Sequence, residues 1–496
     1  MKQTATLLFL LALATAASAQ VDPDAFERQR KQMQQRFSQR QGQAQQQYDE
    51  ARRKAEEEYA AFRKRANEQY AAAMQRAWQR MGVQPAVPKP EEPAPPRPPK
   101  PPVDKLPSTN PLPQAEVVPP AVLPPAPLPP IPAPAPTAPT MQVPFYGTVC
   151  DLHTATEGLR FRLAAVDEKN VSNAWQSLSA EKYDGLLHDC LAQREAMHLS
   201  DWGYLQLLGR ACEQLLGKGS NEAVLLQAYL LAQSGYRVRL ARSQSRLALL
   251  MPFNRTVYGY SYTTIDGVKH YLLSHEKSNE LYVCAAEFPR EQVANILMSR
   301  LPDLGSGTHR SRTLQAQRFG TMKATVSVSQ RLIDFLNEYP LSDAWNYYAL
   351  AGLSDGAKAT LYPALRSQLK GKSHQKAALM LLDFVQTAFD YATDQEQFGY
   401  ERPLFGDESL YYPKNDCEDR SILFAILVRD LLGLDVVLVH WPGHLATAVH
   451  FPQEVDGDYF TVEGRRYTVC DPTYIGAGIG ETMPQFQNVK ANLVTL

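Results

Sequence analysis

The sequence predicts an α+β protein: a cysteine-bearing helix packed on an antiparallel sheet, in two tandem copies behind a long polar helix and a Pro-rich linker. Three observations predict it. Ser421 to Leu432 is a largely apolar run closed by Gly433, the pattern of a buried helix with a glycine stop. Strand-length segments follow at Asp435–His440, Leu445–Phe451, Asp458–Val462 and Arg465–Cys470, the last two joined by a Glu463-Gly464 turn. The same order of patterns occurs once before, between about residues 145 and 305.

Residues 1–19 have a Lys near the start, an apolar run from Leu7 to Ala14 and the small-residue triplet Ala17-Ser18-Ala19. That is the signature of a secretory signal peptide. No other apolar run reaches transmembrane length. The expectation is a periplasmic or secreted protein with no transmembrane segment.

Residues 20–83 read as a polar helix with an internal repeat. Phe26, Phe37, Tyr48, Tyr59 and Tyr70 recur every 11 residues, and Met33, Ala44, Ala55, Ala66 and Ala77 keep the same period. Eleven residues make three turns, so the positions form a nearly straight stripe. The stripe is too thin for a globular core. It suits self-association through the 24–81 helix, docking on a partner, or a solvated helix held by charge pairs.

Residues 84–144 form the linker, and 25 of the 37 prolines fall between 85 and 144. Such a stretch is expected to run as an extended spacer. The globular part divides into copies over 145–305 and 306–496. Ser172-Asn173-Ala174-Trp175 echoes Ser342-Asp343-Ala344-Trp345, and Ile265-Asp266-Gly267-Val268 echoes Val462-Glu463-Gly464-Arg465. In the first copy Gly219 or Ser220 falls near the Cys417 position, Asn254 at that of His444, and His275 near that of Asp471. By that alignment the first copy has lost the nucleophile and the base.

The second copy carries a chemical constellation. Asn415 or Asp416 is suited to cap the helix, which puts Cys417 in its first turn, where a helix N-terminus stabilises thiolate. His444 follows Pro442-Gly443 at a strand mouth, and Asp471 follows a strand end. A thiol nucleophile, a base and a group that orients the base are the parts of a nucleophilic triad. His440 and His450 compete with His444. An inserted segment, Asp390 to Pro413, precedes Cys417 and is rich in aromatics; it reads as a candidate groove wall. Gln397, Tyr411 and Tyr412 are candidates for a side-chain oxyanion donor beside the Cys417 N–H. Asp416 and Glu418 offer two carboxylates, the ligand type hard cations require.

At these residues the chain resembles the transglutaminase-like cysteine-protease superfamily, over about residues 370–485. Asp471-Pro472-Thr473 matches its Asp-Pro-Thr turn, and Asp416-Cys417-Glu418-Asp419 is similar to bacterial periplasmic cysteine peptidases of the transglutaminase-like type. The resemblance implies a papain/transglutaminase-like core, with Cys417 as nucleophile, His444 as base and acid, and Asp471 as orienter. It also implies that Asp416 and Glu418 bind calcium, as in some of those peptidases; no other cofactor is required. Leu445-Ala446-Thr447 stands where transglutaminases usually have an aromatic after the His, which argues against glutamine–lysine cross-linking. The expected activity is thiol-dependent hydrolysis of an amide in a peptide or protein. The alternatives are protein acyl transfer and a non-catalytic envelope scaffold.

Net charge is −1, which argues against a nucleic-acid partner. Six cysteines are too few for a disulfide scaffold, though Cys190–Cys212 is a conceivable bridge.

Overall fold

The computed structural model describes residues 23–90, 109–119, 129, 131, 140–154, 161–180, 183–274 and 278–496. Residues 1–19, where the sequence suggests a signal peptide, and His275 lie outside the described residues. The protein is mixed helix and sheet with largely antiparallel pairing.

Helix α1 (Pro23–Met74) carries the repeat stripe as far as Tyr70 but stops short of the expected end: Ala77 lies beyond it and Gln79–Gly82 is a strand, paired with Glu280–Val283. The chain divides within it into two compact units, Met1–Phe62 and Arg63–Leu496. In the first unit Met33, Phe37 and Tyr48 are exposed. In the second, the last turns of the helix are built into the globular body. Ala66, Tyr70, Ala71 and Met74 are buried. The Tyr70 ring lies 4.8 Å from that of Trp175. Arg63 forms a forked pair with Asp184 at 2.9 and 2.7 Å. So the stripe residues Ala66 and Tyr70 dock, and their partner is the chain itself.

Two six-stranded sheets organise the second unit. In the first, β1 (Gln79–Gly82), β3 (Arg239–Ser243), β4 (Arg246–Met251), β5 (Tyr262–Ile265), β6 (Val268–Leu272) and β7 (Glu280–Val283) lie in the order β1-β7-β3-β4-β6-β5. The second contains β2 (Gln114–Val118), β8 (Val436–Trp441), β9 (His444–Val449), β10 (Tyr459–Val462), β11 (Arg465–Cys470) and β12 (Ala491–Thr495). Its order is β2-β12-β8-β9-β11-β10. The two orders are the same, strand for strand. Each hairpin turn recurs too. Asp266-Gly267 and Glu463-Gly464 both have positive φ at both residues, as a tight two-residue hairpin requires.

The helices repeat as well. In the first half α2 (Asp201–Leu216) and α3 (Asn221–Gln233) precede the sheet. In the second half α5 (His374–Thr387) and α6 (Cys417–Leu432) do so, after α4 (Gln330–Asn337). The α6 helix starts on Asp416 and stops at Gly433, which is left-handed with φ 66°. Twelve of its residues, from Cys417 to Val428, are buried, as the apolar run demands. The opposite face of the second sheet closes over Val439, Trp441, Ala446, Val469 and Leu493.

The Pro-rich stretch is not a spacer throughout, contrary to the sequence expectation. Its β2 pairs in parallel with β12, and Leu112 is buried in the core of the second sheet. Proline excludes regular ladders only where the N–H is needed, so short non-proline runs between prolines are free to pair at a sheet edge. The Cys190–Cys212 bridge is also absent: all six cysteines are buried free thiols.

Candidate functional site

The residues singled out from the sequence come together at the start of α6 and the end of two strands. His444 opens β9, and its Nε2 lies 2.9 Å from Asp471 Oδ2. A carboxylate accepts, so Nε2 carries the proton and Nδ1 is the basic nitrogen. Nδ1 is buried and has no hydrogen-bond partner among the described residues. Of the competing histidines, His450 directs its Nδ1 to the Arg466 carbonyl at 2.9 Å, and the His440 ring faces Trp345. Only His444 meets Asp471.

The imidazole is clamped. Its ring is nearly parallel to Phe486, 5.0 Å away at 5°, and to Trp441, 6.1 Å away at 13°. Asp471 is fixed from behind, its Oδ1 accepting the N–H groups of Thr473 and Tyr474 at 2.8 and 3.2 Å. That is the Asp-Pro-Thr turn at work: the short acidic side chain holds the backbone just after it. Gln386 of α5 locks the same loop. Its Nε2 donates to the carbonyls of Asp471, Tyr474 and Ala477, and its Oε1 accepts from Gly476 N–H.

Cys417 is the first residue of α6 and is 8% exposed. The backbone N–H of Leu445, the residue after His444, is the group that favours its thiolate. The thiol therefore lies against the strand that carries the base. It donates to Glu418 Oε2 at 3.0 Å rather than to the imidazole. Its acidity contradicts the sequence expectation. Burial first, then the Glu418 and Asp416 charges, push the thiol well above its ordinary value, and the Leu445 N–H only partly opposes this. Carboxylates packed around the thiol outweigh the helix N-terminus.

The acidic cluster is larger than Asp416 and Glu418. Asp394, Asp416 and Asp419 bring carboxylate oxygens within 4.8 Å of one another, as do Asp394, Glu401 and Glu418. Burial, then Asp419 and Glu418, push Asp394 up to about 10. Burial and the neighbouring acids also raise Asp416 and Asp419 well above the carboxylate range. Arg420 gives its N–H groups to the carbonyls of Gln386 and Phe389 and none to these carboxylates. Asp416 Oδ1 is buried without a partner among the described residues. Four buried oxygen donors with an orphaned lone pair suit a hard cation.

The inserted segment is the wall of this cluster. Leu404 N–H donates to Asp419 Oδ1 at 2.8 Å, and Arg402 N–H to Asp394. The proposed oxyanion donors fare poorly. Tyr411 and Tyr412 send their hydroxyls to Gln330 and Asn337 of α4. Gln397 ends the short helix that begins at Asp394. The phenol beside the thiol is Tyr391, which sequence reasoning missed. Burial, and then the charges of Cys417, Asp416 and Glu418, raise it. Asp390–Tyr391 pairs in parallel with Lys414–Asn415, directly before the helix cap. Its only sequence signal was its place at the head of the insertion.

The register assigns the first copy's equivalents. Trp441 pairs with His444 as the last pair of its hairpin, and Ser243 with Arg246 in the other, so Arg246 stands where His444 does. Asn221 opens α3 behind the cap Ser220, as Cys417 opens α6 behind Asp416. Asn221 Oδ1 accepts Leu247 N–H at 2.9 Å, and Leu247 stands where Leu445 does, one residue after the Arg246 and His444 positions. Val268 pairs as Arg465 does, so Ser274 matches Asp471. Asn254, aligned with His444 from sequence, instead bonds Asn295 and Tyr347 beyond the hairpin. The Pro-Phe before it mimicked the Pro-Gly before His444, and only strand pairing separates the two.

Compared with models of known families, with curated proteins and with solved structures, the chain matches none.

Proposed function

We propose that the chain is an exported thiol-dependent amide hydrolase with a transglutaminase-like core, acting on a peptide or protein through Cys417, His444 and Asp471. One observation carries the reading: a buried imidazole is bound to Asp471 through one nitrogen, has the other open among the described residues, and is followed in the strand by Leu445, whose N–H favours the Cys417 thiolate. The tandem first half is a degenerate copy of the same core.

His444 Nδ1 takes the thiol proton as sulfur attacks the amide carbonyl. The oxyanion is received by the Cys417 N–H and the Tyr391 hydroxyl. His444 returns the proton to the leaving amine, then takes one from water for deacylation. Asp471 stabilises the imidazolium and keeps its orientation.

The thiol needs its surrounding negative charge offset. Asp394, Asp416, Glu418 and Asp419 would hold calcium, whose charge would favour thiolate. Without such a cation, the raised thiol favours the scaffold reading instead. Alkylation separates the two. At about pH 6 an ordinary thiol, with a pKa of about 8.5, is mostly protonated and slow toward iodoacetamide. Cys417 should be alkylated quickly in calcium and slowly in chelator, and His444→Ala should abolish the difference. Equal, slow alkylation under every condition would sink the enzyme reading. New N-termini in envelope proteins treated with wild type but not Cys417→Ala would identify hydrolysis; new isopeptide links would identify acyl transfer.

A further inference from the structure

The first copy keeps a cleft where the second has its candidate active site. It has a volume of about 260 Å³ and lies among α2, α3, β4 and the residues after β6. Arg246 and Ser274, the counterparts of His444 and Asp471, both line it, as does Gly219 before the helix cap. The nucleophile position is filled by Asn221, whose carboxamide is spent on Leu247 N–H and the Ser245 carbonyl. No acyl transfer chemistry survives there. What survives is a recess with polar groups turned to it.

Its charge is unevenly spent. The carboxylate of Glu338 is held by Tyr146 and Arg210, and that of Glu213 accepts Gly219 N–H. Arg210 is in turn stacked on the Tyr146 ring. Arg246 has no carboxylate partner among the described residues; it gives one N–H to the Gly219 carbonyl and is exposed. Ser274 Oγ is buried without a partner among the described residues. The donors lining the cleft are therefore a guanidinium with N–H groups left over and a hydroxyl, in the company of Leu205, Leu247 and Leu249. That combination takes a carboxylate carried on a short apolar stem.

We propose that this cleft is a second, non-catalytic site that binds the carboxylate of a peptide, with Arg246 and Ser274 as its anchors. The proposal rests on the second copy being the working one, but not on any turnover there. The degenerate copy would hold one end of a polypeptide whose amide is presented to Cys417.

The test uses the full chain carrying Cys417→Ala, so cleavage cannot intervene. The probes are N-acetyl-Leu-Ala with a free C-terminus and the same dipeptide as its C-terminal amide, followed by ligand-detected NMR. The acid should bind about tenfold or more tighter than the amide, since a charge-assisted bond is lost. Arg246→Gln should remove that preference with an unchanged melting temperature, because the side chain is exposed. Ser274→Ala should weaken the acid by a smaller factor. Adding His444→Ala should change neither affinity. Equal binding of acid and amide, wild-type affinity in Arg246→Gln, or no binding of the acid at tens of millimolar would each overturn the proposal. Loss of binding upon His444→Ala alone would place the peptide in the second copy and overturn it too. Failure of Cys417 to turn over any substrate leaves all of these outcomes readable.

Discussion

At the residue scale, the thiol and its acids form one electrostatic unit. Asp394 titrates at about 10 because burial and then Asp419 and Glu418 disfavour its charge. An unfolded Asp titrates at about 3.9. Between those values the folded chain holds a proton that the unfolded chain has released, so the stability is fully present below the lower value and is lost as pH rises toward the upper. Asp416 and Asp419 shift in the same direction. In chelator, the melting temperature should therefore fall steadily between about pH 5 and pH 9. Calcium at about 100 times its dissociation constant should add about 2.7 kcal/mol and flatten that slope. Asp394→Asn should flatten it without calcium and weaken the calcium effect. Melting curves across pH, with and without metal, check this. A second residue-scale expectation concerns Gln386. Gln386→Met removes donors from three carbonyls of the Asp471 loop, and should cost about 2–4 kcal/mol by denaturant titration. It should also slow Cys417 alkylation at low pH, because Asp471 no longer holds the imidazole. Cys417, His444 and Asp471 were legible because each sits in a short local pattern at an element end. Gln386, Tyr391 and Phe486 were not: each acts across long sequence separations that no local pattern records.

At the element scale, the helix and the strands that carry the site were readable from pattern. The apolar run to Gly433 became α6, and Arg465–Cys470 became β11 with the same ends. The strand after Gly443 was read out of place, from Leu445 to Phe451, whereas His444 itself opens β9 and Val449 ends it. The register between copies was where sequence failed. A turn such as Asp266-Gly267 is legible because φ > 0 restricts it to few residues, and it aligned correctly with Glu463-Gly464. A position such as Arg246 is not, since nothing local marks it as the first residue of a strand after a Gln244-Ser245 turn. This correction has a consequence for activity. Asn254→Ala should leave both alkylation of Cys417 and any peptide cleavage within about twofold of wild type, as the residue bonds Asn295 and Tyr347 and not the cleft. A large loss of either, measured beside a melting curve that stays put, would restore Asn254 to the site.

At the scale of the whole molecule, the N-terminal segments are not a detachable stalk. An extended spacer over residues 84–144 would make residues 20–144 dispensable for folding of the globular region. The structure argues otherwise. Each six-stranded sheet takes its edge strand from this region, β1 in the first and β2 in the second. Leu112 lies in the second core, and Tyr70, Ala71 and Met74 are buried in the globular body. Truncating a single buried large apolar residue costs about 2–5 kcal/mol, so losing Leu112, Tyr70 and Met74 together removes an amount comparable to the whole reserve of a domain, about 5–15 kcal/mol. The boundary that composition could not locate falls inside α1, after Phe62. Up to Phe62 the described stripe residues Met33, Phe37 and Tyr48 face solvent; after it Tyr70, in the same repeat, is buried. The repeat looks uniform in sequence because period alone does not say which turns find a partner. A protein beginning at about residue 60 should therefore melt within a few degrees of the full chain and keep its Cys417 alkylation, while one beginning at 145 should be insoluble or unfold without a cooperative transition. Calorimetry on the two truncations decides it, and a cooperative, alkylation-competent 145–496 fragment would return the Pro-rich stretch to the role of spacer.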